Sequence, residues 1–81
     1  MKNSKLPKVG ELVGHKIGNS FYVSEVTELV DERVTNIKIK CLFSITNGIR
    51  ETKSNTGVIT MDNIKRKKFK KLLKKFPEYF I

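Results

Sequence analysis

The sequence of 81 residues contains one cysteine, one histidine and no tryptophan, and these absences exclude several kinds of site. Cys41 cannot form a disulfide within the chain because it has no partner. One cysteine and one histidine cannot supply the four nitrogen and sulfur ligands of a structural zinc site. Cys41 lies in the apolar alternation "IKIKCLFSI", which is typical of a buried, reduced thiol. We therefore expect no metal and no cofactor.

The sequence also lacks long apolar runs. No segment reaches the length of a membrane-spanning helix, and no apolar segment follows the N-terminal lysines as it would in a signal peptide. These features predict a soluble, cytoplasmic protein. Apolar residues make up 38% of the chain, which is sufficient for a single small domain with a modest core. Within it we expect a flexible lead over residues 1–7, a β-rich body over 8–61, a basic helix over 62–76 and a tail over 77–81.

Motifs for catalysis are missing as well. The acidic side chains cluster only at Glu25, Glu28, Asp31 and Glu32, near an expected hairpin end. General acid–base catalysis needs a positioned pair of groups in a pocket, which nothing in this segment indicates. The five glycines are scattered and form no phosphate-binding loop, and no nucleophile motif occurs. We expect a protein that is not an enzyme.

The clearest strand lies around residues 37–45, where apolar and polar residues alternate. One predicted face carries Ile37, Ile39, Cys41, Phe43 and Ile45, and the other carries Lys38, Lys40, Leu42 and Ser44. Asn47 and Gly48 follow, and both tolerate positive φ, so they predict a two-residue hairpin turn with a return strand over residues 49–53. Shorter strands are predicted over residues 8–17 and 58–61.

The segment from residue 20 to residue 34 fits two structures. Val23, Val26, Val30 and Val34 recur at helical spacing, whereas the β-branched and aromatic content favours a strand. The strand alternation slips once, as a β-bulge would make it. The strand is favoured, and the helix stays open as the alternative.

A helical period begins near Asp62. Asp62 or Asn63 is predicted to cap the helix, and Pro77 to end it at Phe76. Lys65 falls inside the apolar stripe, so either its stem passes the core or the helix begins after it. The stripe comprises Met61, Phe69, Leu72, Leu73 and Phe76. In the segment after the helix, Tyr79 and Phe80 are candidates to fold back and pack.

Positive charge is concentrated in this helix. Residues 1–63 hold nine basic and seven acidic side chains, whereas residues 64–81 hold eight basic and one acidic. Like-charged pairs four residues apart each cost roughly 0.2–0.5 kcal/mol, and the first turn of a helix prefers acids. The basic residues of this helix are unfavourable by both criteria, and such unfavourable local choices typically mark a functional segment. The face opposite the apolar stripe carries Arg66, Lys67, Lys70, Lys71, Lys74 and Lys75.

This asymmetry favours an anionic partner, with nucleic acid first and DNA ahead of RNA. Lysine outnumbers arginine seven to one over residues 64–76, which favours contacts with phosphates over the reading of bases. A β-ribbon can enter the major groove, so the sheet supplies further candidates for sequence readout. These candidates are Lys38, Lys40, Arg50 and Lys53, beside Asn47 in the hairpin turn.

Other interpretations of the basic helix stay open. The main alternative is a protein-interaction module, an inhibitor or adaptor that docks on an acidic protein surface. A face that only confers solubility is a further alternative. A membrane-surface role is disfavoured because the apolar stripe is needed in the core of so small a protein. A homodimer would suit a DNA-binding protein, but no sequence feature indicates one.

Four or five short strands followed by one helix predict an α+β fold, either a small antiparallel β-sheet or an SH3-like barrel. The order of "KVGELV", "FYVSEV", "IKIKCLF" and "GVITMDNI" resembles a small SH3-like barrel. It also resembles the three-strand-plus-helix AP2-type DNA-binding domains carried by phages, although this chain lacks their later cysteines. Neither resemblance includes a diagnostic motif, so we assign no family. The bias to Lys, Ile and Asn is typical of an AT-rich genome, such as that of a low-GC bacterium or its phage.

Overall fold

The computed structural model describes residues 7–29 and 36–80, which form an α+β fold. An open, five-stranded antiparallel sheet is followed by one C-terminal helix, as predicted. The SH3-like barrel is not confirmed, because the sheet is not closed. The elements are β1 (Leu12–Ile17), β2 (Ser20–Leu29), β3 (Asn36–Thr46), β4 (Ile49–Thr52), β5 (Thr56–Thr60) and α1 (Arg66–Lys75). Short 3-10 turns lie at Met61–Asn63 and at Pro77–Phe80, the second of which we name the C-terminal turn.

The long strand β3 organises the sheet. The strand order is β1-β2-β3-β4, and β5 pairs with the other half of β3. Residues 43–46 of β3 pair with β4, and residues 36–40 pair with β5. The two return strands are separated by residues 53–55, where Lys53 still donates its backbone N–H to Leu42 at 2.9 Å.

Two tight turns lie at one end of the sheet. The predicted hairpin turn is confirmed, with φ of 53° at Asn47 and 82° at Gly48, the left-handed conformation that Asn and Gly tolerate. The β1–β2 turn comprises Gly18 and Asn19, and Gly18 has φ of 59°. Both turns are formed by residues that tolerate positive φ. The two turns lie side by side at the ends of paired strands.

The ambiguous segment is a strand over residues 20–29, which confirms the favoured interpretation. Its register against β3 shifts between Val26 and Glu28, beyond the predicted slip in the alternation, which lies between Val23 and Val26. Val30 and Val34 lie outside the described residues, as do Asp31 and Glu32 of the acidic cluster.

A second irregularity corrects the predicted face of β3. Val23 lies opposite Phe43, and its neighbour Ser24 lies opposite Cys41, so Leu42 is an extra residue on β3. The five predicted core residues of β3 are all buried, but the bulge divides them between opposite faces of the sheet. Ser44, predicted on the polar face, is also buried. One cluster contains Val13, Val26, Ile37 and Ile39, and the other contains Phe21, Val23, Phe43 and Ile45.

Helix α1 begins after Lys65 and ends before Pro77. The helix therefore begins after Lys65, the second of the two predicted alternatives. Lys65 is the N-cap residue and does not belong to the apolar stripe of α1. The prediction that Asp62 or Asn63 caps the helix is wrong, because both lie in the preceding 3-10 turn and the N-cap makes no side-chain hydrogen bond. Met61 lies in the same turn, where it packs against the Val13 cluster instead of belonging to the stripe of α1.

Gly14 allows α1 to dock on the sheet. A Cβ atom at this position would collide with the ring of Phe21 and would lie 3.0 Å from the ring of Phe69. Lys65, immediately before α1, donates its backbone N–H to the Gly14 carbonyl at 2.8 Å. Because β1 carries no side chain at this point, the helix packs closely against the sheet and does not project from it.

The C-terminal turn packs between the helix and the sheet. The ring of Phe80 meets Phe43 of the sheet and Phe69 of α1 edge-on, at 5.3 Å between centroids in both pairs. Tyr79 stacks on Phe76 at 4.9 Å and donates its hydroxyl to the Gly48 carbonyl at 2.8 Å. The predicted packing of Tyr79 and Phe80 is therefore confirmed, and it joins sheet, hairpin turn and helix.

Candidate nucleic-acid interface

Lys16 faces helix α1 because of its spacing from Gly14. Alternate residues of a strand share a face, and Gly14 faces the ring of Phe69 on α1. The bond from Lys65 to Gly14 fixes the start of the helix beside this part of β1. Lys16 therefore lies on the face of β1 that meets the first turns of α1.

A cleft of about 440 Å³ opens between Lys16 and the helix, and every described residue that lines it is basic. We name it the basic cleft. Because no carboxylate of the described residues lines it, the cations in the cleft repel one another and lower their free energy by binding an anion. The positive end of the helix macrodipole lies in the same place and acts in the same direction. The lining residues are Lys16, Lys65, Arg66, Lys67, Lys68 and Lys71.

A second recess adjoins the basic cleft and shares Lys16 and Lys68 with it. It has a volume of about 270 Å³ and lies between α1 and the two turns at the end of the sheet, so we name it the turn pocket. Its polar residues come from the turns and its apolar residues from the sheet and helix. Besides the two shared lysines it is lined by Lys75, by Asn19, Ser20, Asn47 and Gly48, and by Phe21, Ile45, Leu72 and Phe76.

The opposite flank of α1 is closer to charge balance. Arg66 approaches Glu11 with 3.6 Å between Nη1 and Oε2, and Lys70 lines a mainly apolar cleft beside the same glutamate. Glu11 is held in place, since its Oε1 accepts the Lys8 backbone N–H at 2.9 Å. An incoming phosphate would meet a carboxylate on this flank, whereas it meets only cations on the Lys16 flank.

The structure separates the predicted helix residues into groups. Arg66, Lys67 and Lys71 line the basic cleft, Lys75 lines the turn pocket, and Lys70 lies on the Glu11 flank. Lys74 lines none of these three recesses. Lys67, Lys70, Lys71 and Lys74 form no ion pair with any residue in the described ranges, so their charges face solvent.

Three cleft residues were not predicted from the sequence: Lys16, Lys65 and Lys68. Lys68, Lys71 and Lys75 share one side of α1, at spacings of three and four residues. Lys68 lies close to the apolar stripe, so it does not belong to the outermost face on which the prediction rested. Lys16 is two residues from Gly14, so the two residues share a face of β1. This spacing indicates a site residue only when Gly14 is known to face the helix.

The predicted sheet residues make contacts of their own and lie outside both recesses. Lys38 pairs with Glu28 at 3.3 Å, and Lys53 pairs with Glu51 at 3.3 Å. Lys40 lies opposite Glu25 in the β2–β3 register.

Arg50 is the fourth sheet residue, and its contacts hold the C-terminal turn. Its Nε donates to the Tyr79 carbonyl at 3.1 Å, and its guanidinium lies over the Phe43 ring at 4.3 Å. Its Nη1 also donates to the Thr52 hydroxyl at 3.2 Å. The exposed Arg50 side chain thus contacts the C-terminal turn and the Phe43 ring.

His15 is a buried titratable group in strand β1. It is 8% exposed and stacks on Tyr22 with 5.4 Å between ring centroids. Its Nδ1 has no hydrogen-bond partner in the described structure. Burial lowers the pKa of the imidazole below its ordinary value of 6.5.

Stability is therefore expected to fall as the pH falls below about 6.5. In that range the unfolded chain binds a proton that the folded chain binds less well, so the free energy of unfolding decreases by up to about 1 kcal/mol per pH unit. Urea unfolding at pH 7.5, 6.5 and 5.5 measures this slope. The variant His15→Gln should show a flatter profile between these pH values, and a profile as steep as that of the parent would assign the slope to other groups.

The described residues include no group of three or more His, Cys, Asp or Glu side chains that could hold a metal ion. Cys41 is buried, and its thiol lies 3.8 Å from the Phe43 carbonyl. No helix in the described ranges has both the length and the apolar character needed to cross a bilayer.

The candidate interface therefore consists of the basic cleft and the adjoining turn pocket, both on the Lys16 flank of α1. Comparison with models of protein families, with curated proteins and with solved structures finds no significant match to this chain.

Proposed function

We propose that this chain is a non-enzymatic nucleic-acid-binding protein that holds the phosphate backbone in the basic cleft. The basic cleft itself is the observation that carries the proposal, since five lysines line one open recess together with Arg66, which also pairs with Glu11, and no described carboxylate lines that recess. Phosphate oxygens are the anions that repeat at a spacing suited to several neighbouring lysines. DNA is the expected ligand ahead of RNA, and the predominance of lysine favours contacts with the backbone.

Rigid support distinguishes this surface from a charged tail. Phe69 and Leu72 of α1 pack on the Phe21 cluster, and Phe80 lies between sheet and helix. Phe69 and Leu72 are thereby occupied within the protein, and only Leu73 of the apolar residues of α1 is exposed, which argues against insertion of the helix into a lipid surface. The cations are held on a folded backbone, so fewer backbone conformations need to be lost when an extended polyanion binds.

Salt dependence tests the proposal. Fluorescence anisotropy with labelled DNA and RNA oligonucleotides should show binding at about 50 mM salt that weakens steeply as salt is raised. If about five cations engage phosphates, the slope of log affinity against log salt should be near −4.5 for a duplex and near −3.5 for a single strand. The slope reports the number of counterions released and so counts the contacts.

Absence of binding to every oligonucleotide at about 50 mM salt would overturn the proposal, since phosphate contacts are strongest at low salt. The basic cleft would then be assigned to an acidic protein surface, the alternative that the charge also fits. Heparin and salt displace both kinds of partner, so direct binding of bare nucleic acid is the measurement that separates them.

A further inference from the structure

The basic cleft and the turn pocket are neighbouring recesses of two different chemistries. Lys16 and Lys68 stand at their shared boundary. One side is lined by cations, and the other combines three lysines with amides and apolar side chains. We infer that the ligand is a single strand of nucleic acid, with its phosphates in the basic cleft and one unpaired base in the turn pocket. This inference rests on the proposed function and specifies its ligand.

The composition of the turn pocket fits a nucleobase. A base has two apolar faces and a polar edge, and proteins bind unpaired bases by stacking the faces on apolar rings and bonding the edge. Leu72 of α1 and Phe76, which directly follows the helix, supply most of the apolar surface, and the buried Phe21 of β2 lines the same pocket. Asn19 and Asn47 supply side-chain amides, each of which offers donors and an acceptor.

The position of each group is fixed by the fold. Tyr79 stacks on Phe76 and is held by its hydroxyl bond to Gly48, so the Phe76 ring has a defined orientation at the edge of the pocket. Asn47 has φ of 53° within the hairpin turn, and Asn19 lies in the neighbouring turn. The two amides thus flank the pocket from rigid supports, as recognition of a base edge requires.

A duplex fits this recess poorly. Its bases are stacked inside the helix, so one could enter the turn pocket only after being flipped out, which costs unpairing and unstacking energy. A single strand presents its bases already unpaired and can follow the cleft with its backbone. Single-stranded DNA and RNA both present unpaired bases, so the inference includes both.

Competition between strands tests the choice of ligand. Single-stranded DNA, single-stranded RNA and the corresponding hairpin duplex, each labelled with fluorescein, are titrated with the full chain at about 100 mM salt. Both single strands should bind at least about tenfold more tightly than the duplex, since the duplex cannot fill the turn pocket. A duplex that binds equally or more tightly overturns the inference and leaves the proposed function standing, whereas failure of all three overturns both.

A fluorescent base analogue tests the pocket itself. A single strand carrying 2-aminopurine should change its emission when the protein binds, because stacking on an apolar ring alters the environment of the base. Phe76→Leu should reduce this change and weaken binding about tenfold, and Asn19→Ala should weaken binding less, about threefold. Circular dichroism and urea unfolding of both variants establish that they are folded.

An oligonucleotide with abasic positions completes the test. It keeps the phosphates but has no base to place in the turn pocket, so Phe76→Leu should bind it as well as the parent chain does. If Phe76→Leu weakens binding to abasic and normal strands alike, the loss arises from the helix and not from a base, and the inference is overturned. Unchanged affinity of the folded variant for the normal strand overturns it as well.

Discussion

Changing Lys16, Lys68 and Lys71 together to alanine should weaken binding to a single strand about 100-fold at 0.1 M salt. Each lost phosphate contact removes about 0.7 counterions from the release that drives association, and three such losses compound to roughly two orders of magnitude. The slope of log affinity against log salt should become shallower by about 2. All three residues line the basic cleft, but only Lys71 lies on the outer face of α1 that the sequence pattern indicates.

A matched control has the same change of net charge at other positions. Lys38, Lys40 and Lys53 lie on or beside the sheet, where two of them pair with glutamates at 3.3 Å. Their triple alanine variant should lose less than about threefold in affinity and keep nearly the full salt slope, because only long-range charge is removed. Comparison of the two triple variants separates a positioned cleft from the general effect of net charge.

Equal losses of affinity in the two triple variants would contradict the proposal that the basic cleft binds the ligand. That result would show that the ligand responds to total charge, which a protein without a defined interface also produces. Stronger losses in the sheet variant would instead support the prediction that the ribbon around Lys38 and Lys40 contacts nucleic acid. Anisotropy titrations at four salt concentrations measure affinity and slope for both variants in one experiment.

Much of the architecture could be predicted from local patterns. The turn at Asn47 and Gly48 depends on the tolerance of two adjacent residues for positive φ, and the end of α1 depends on Pro77. The docked side of α1 followed in part from the predicted stripe, since Phe69 and Leu72 pack on the Phe21 cluster whereas Leu73 is 41% exposed. Each of these features is determined by residues within one turn or one helix, and sequence displays such short-range causes directly.

Features set by pairing between distant segments could not be predicted in the same way. The extra residue Leu42 on β3 is visible only against β2, where Val23 and Ser24 are adjacent but their partners are two residues apart. An uninterrupted alternation on β3 gave no sign of this change of face. The prediction of the helix cap was wrong for a related reason. The start of α1 is set by the backbone hydrogen bond from Lys65 to Gly14 and not by a local capping side chain.

The candidate site shows the same division. The helical lysines were visible as a run of charge, and Lys16 was not, because a lone lysine on a strand is ordinarily a solvated side chain. It becomes part of the site through the docking of α1 over Gly14. The choice between the two flanks of the helix likewise depends on Glu11, which lies far from α1 in sequence and beside Arg66 in the fold.

The second large effect concerns the support beneath the helix. Phe80→Ala should lower the free energy of unfolding by about 3 kcal/mol, since it removes an aromatic ring that contacts both Phe43 and Phe69. A domain of this size has a total of roughly 4–12 kcal/mol, so a large share of the stability is lost. Urea unfolding followed by circular dichroism gives the change. A loss below about 1 kcal/mol would contradict the role of Phe80 as the link between sheet and helix.

Tyr79→Phe is the matched control, because it removes the hydroxyl bond to Gly48 and retains the stack on Phe76. It should cost about 1 kcal/mol and keep α1 docked, and it should weaken binding less than Phe76→Leu does, because the Phe76 ring remains in place. At temperatures where Phe80→Ala remains folded, its affinity for nucleic acid should decrease in parallel with the helical circular dichroism signal. The reason is that Lys16 faces Lys68 and Lys71 only while α1 is docked. Undiminished binding with a weakened helix signal would mean that the charges act without a fixed arrangement, and the basic cleft would lose its role as a site.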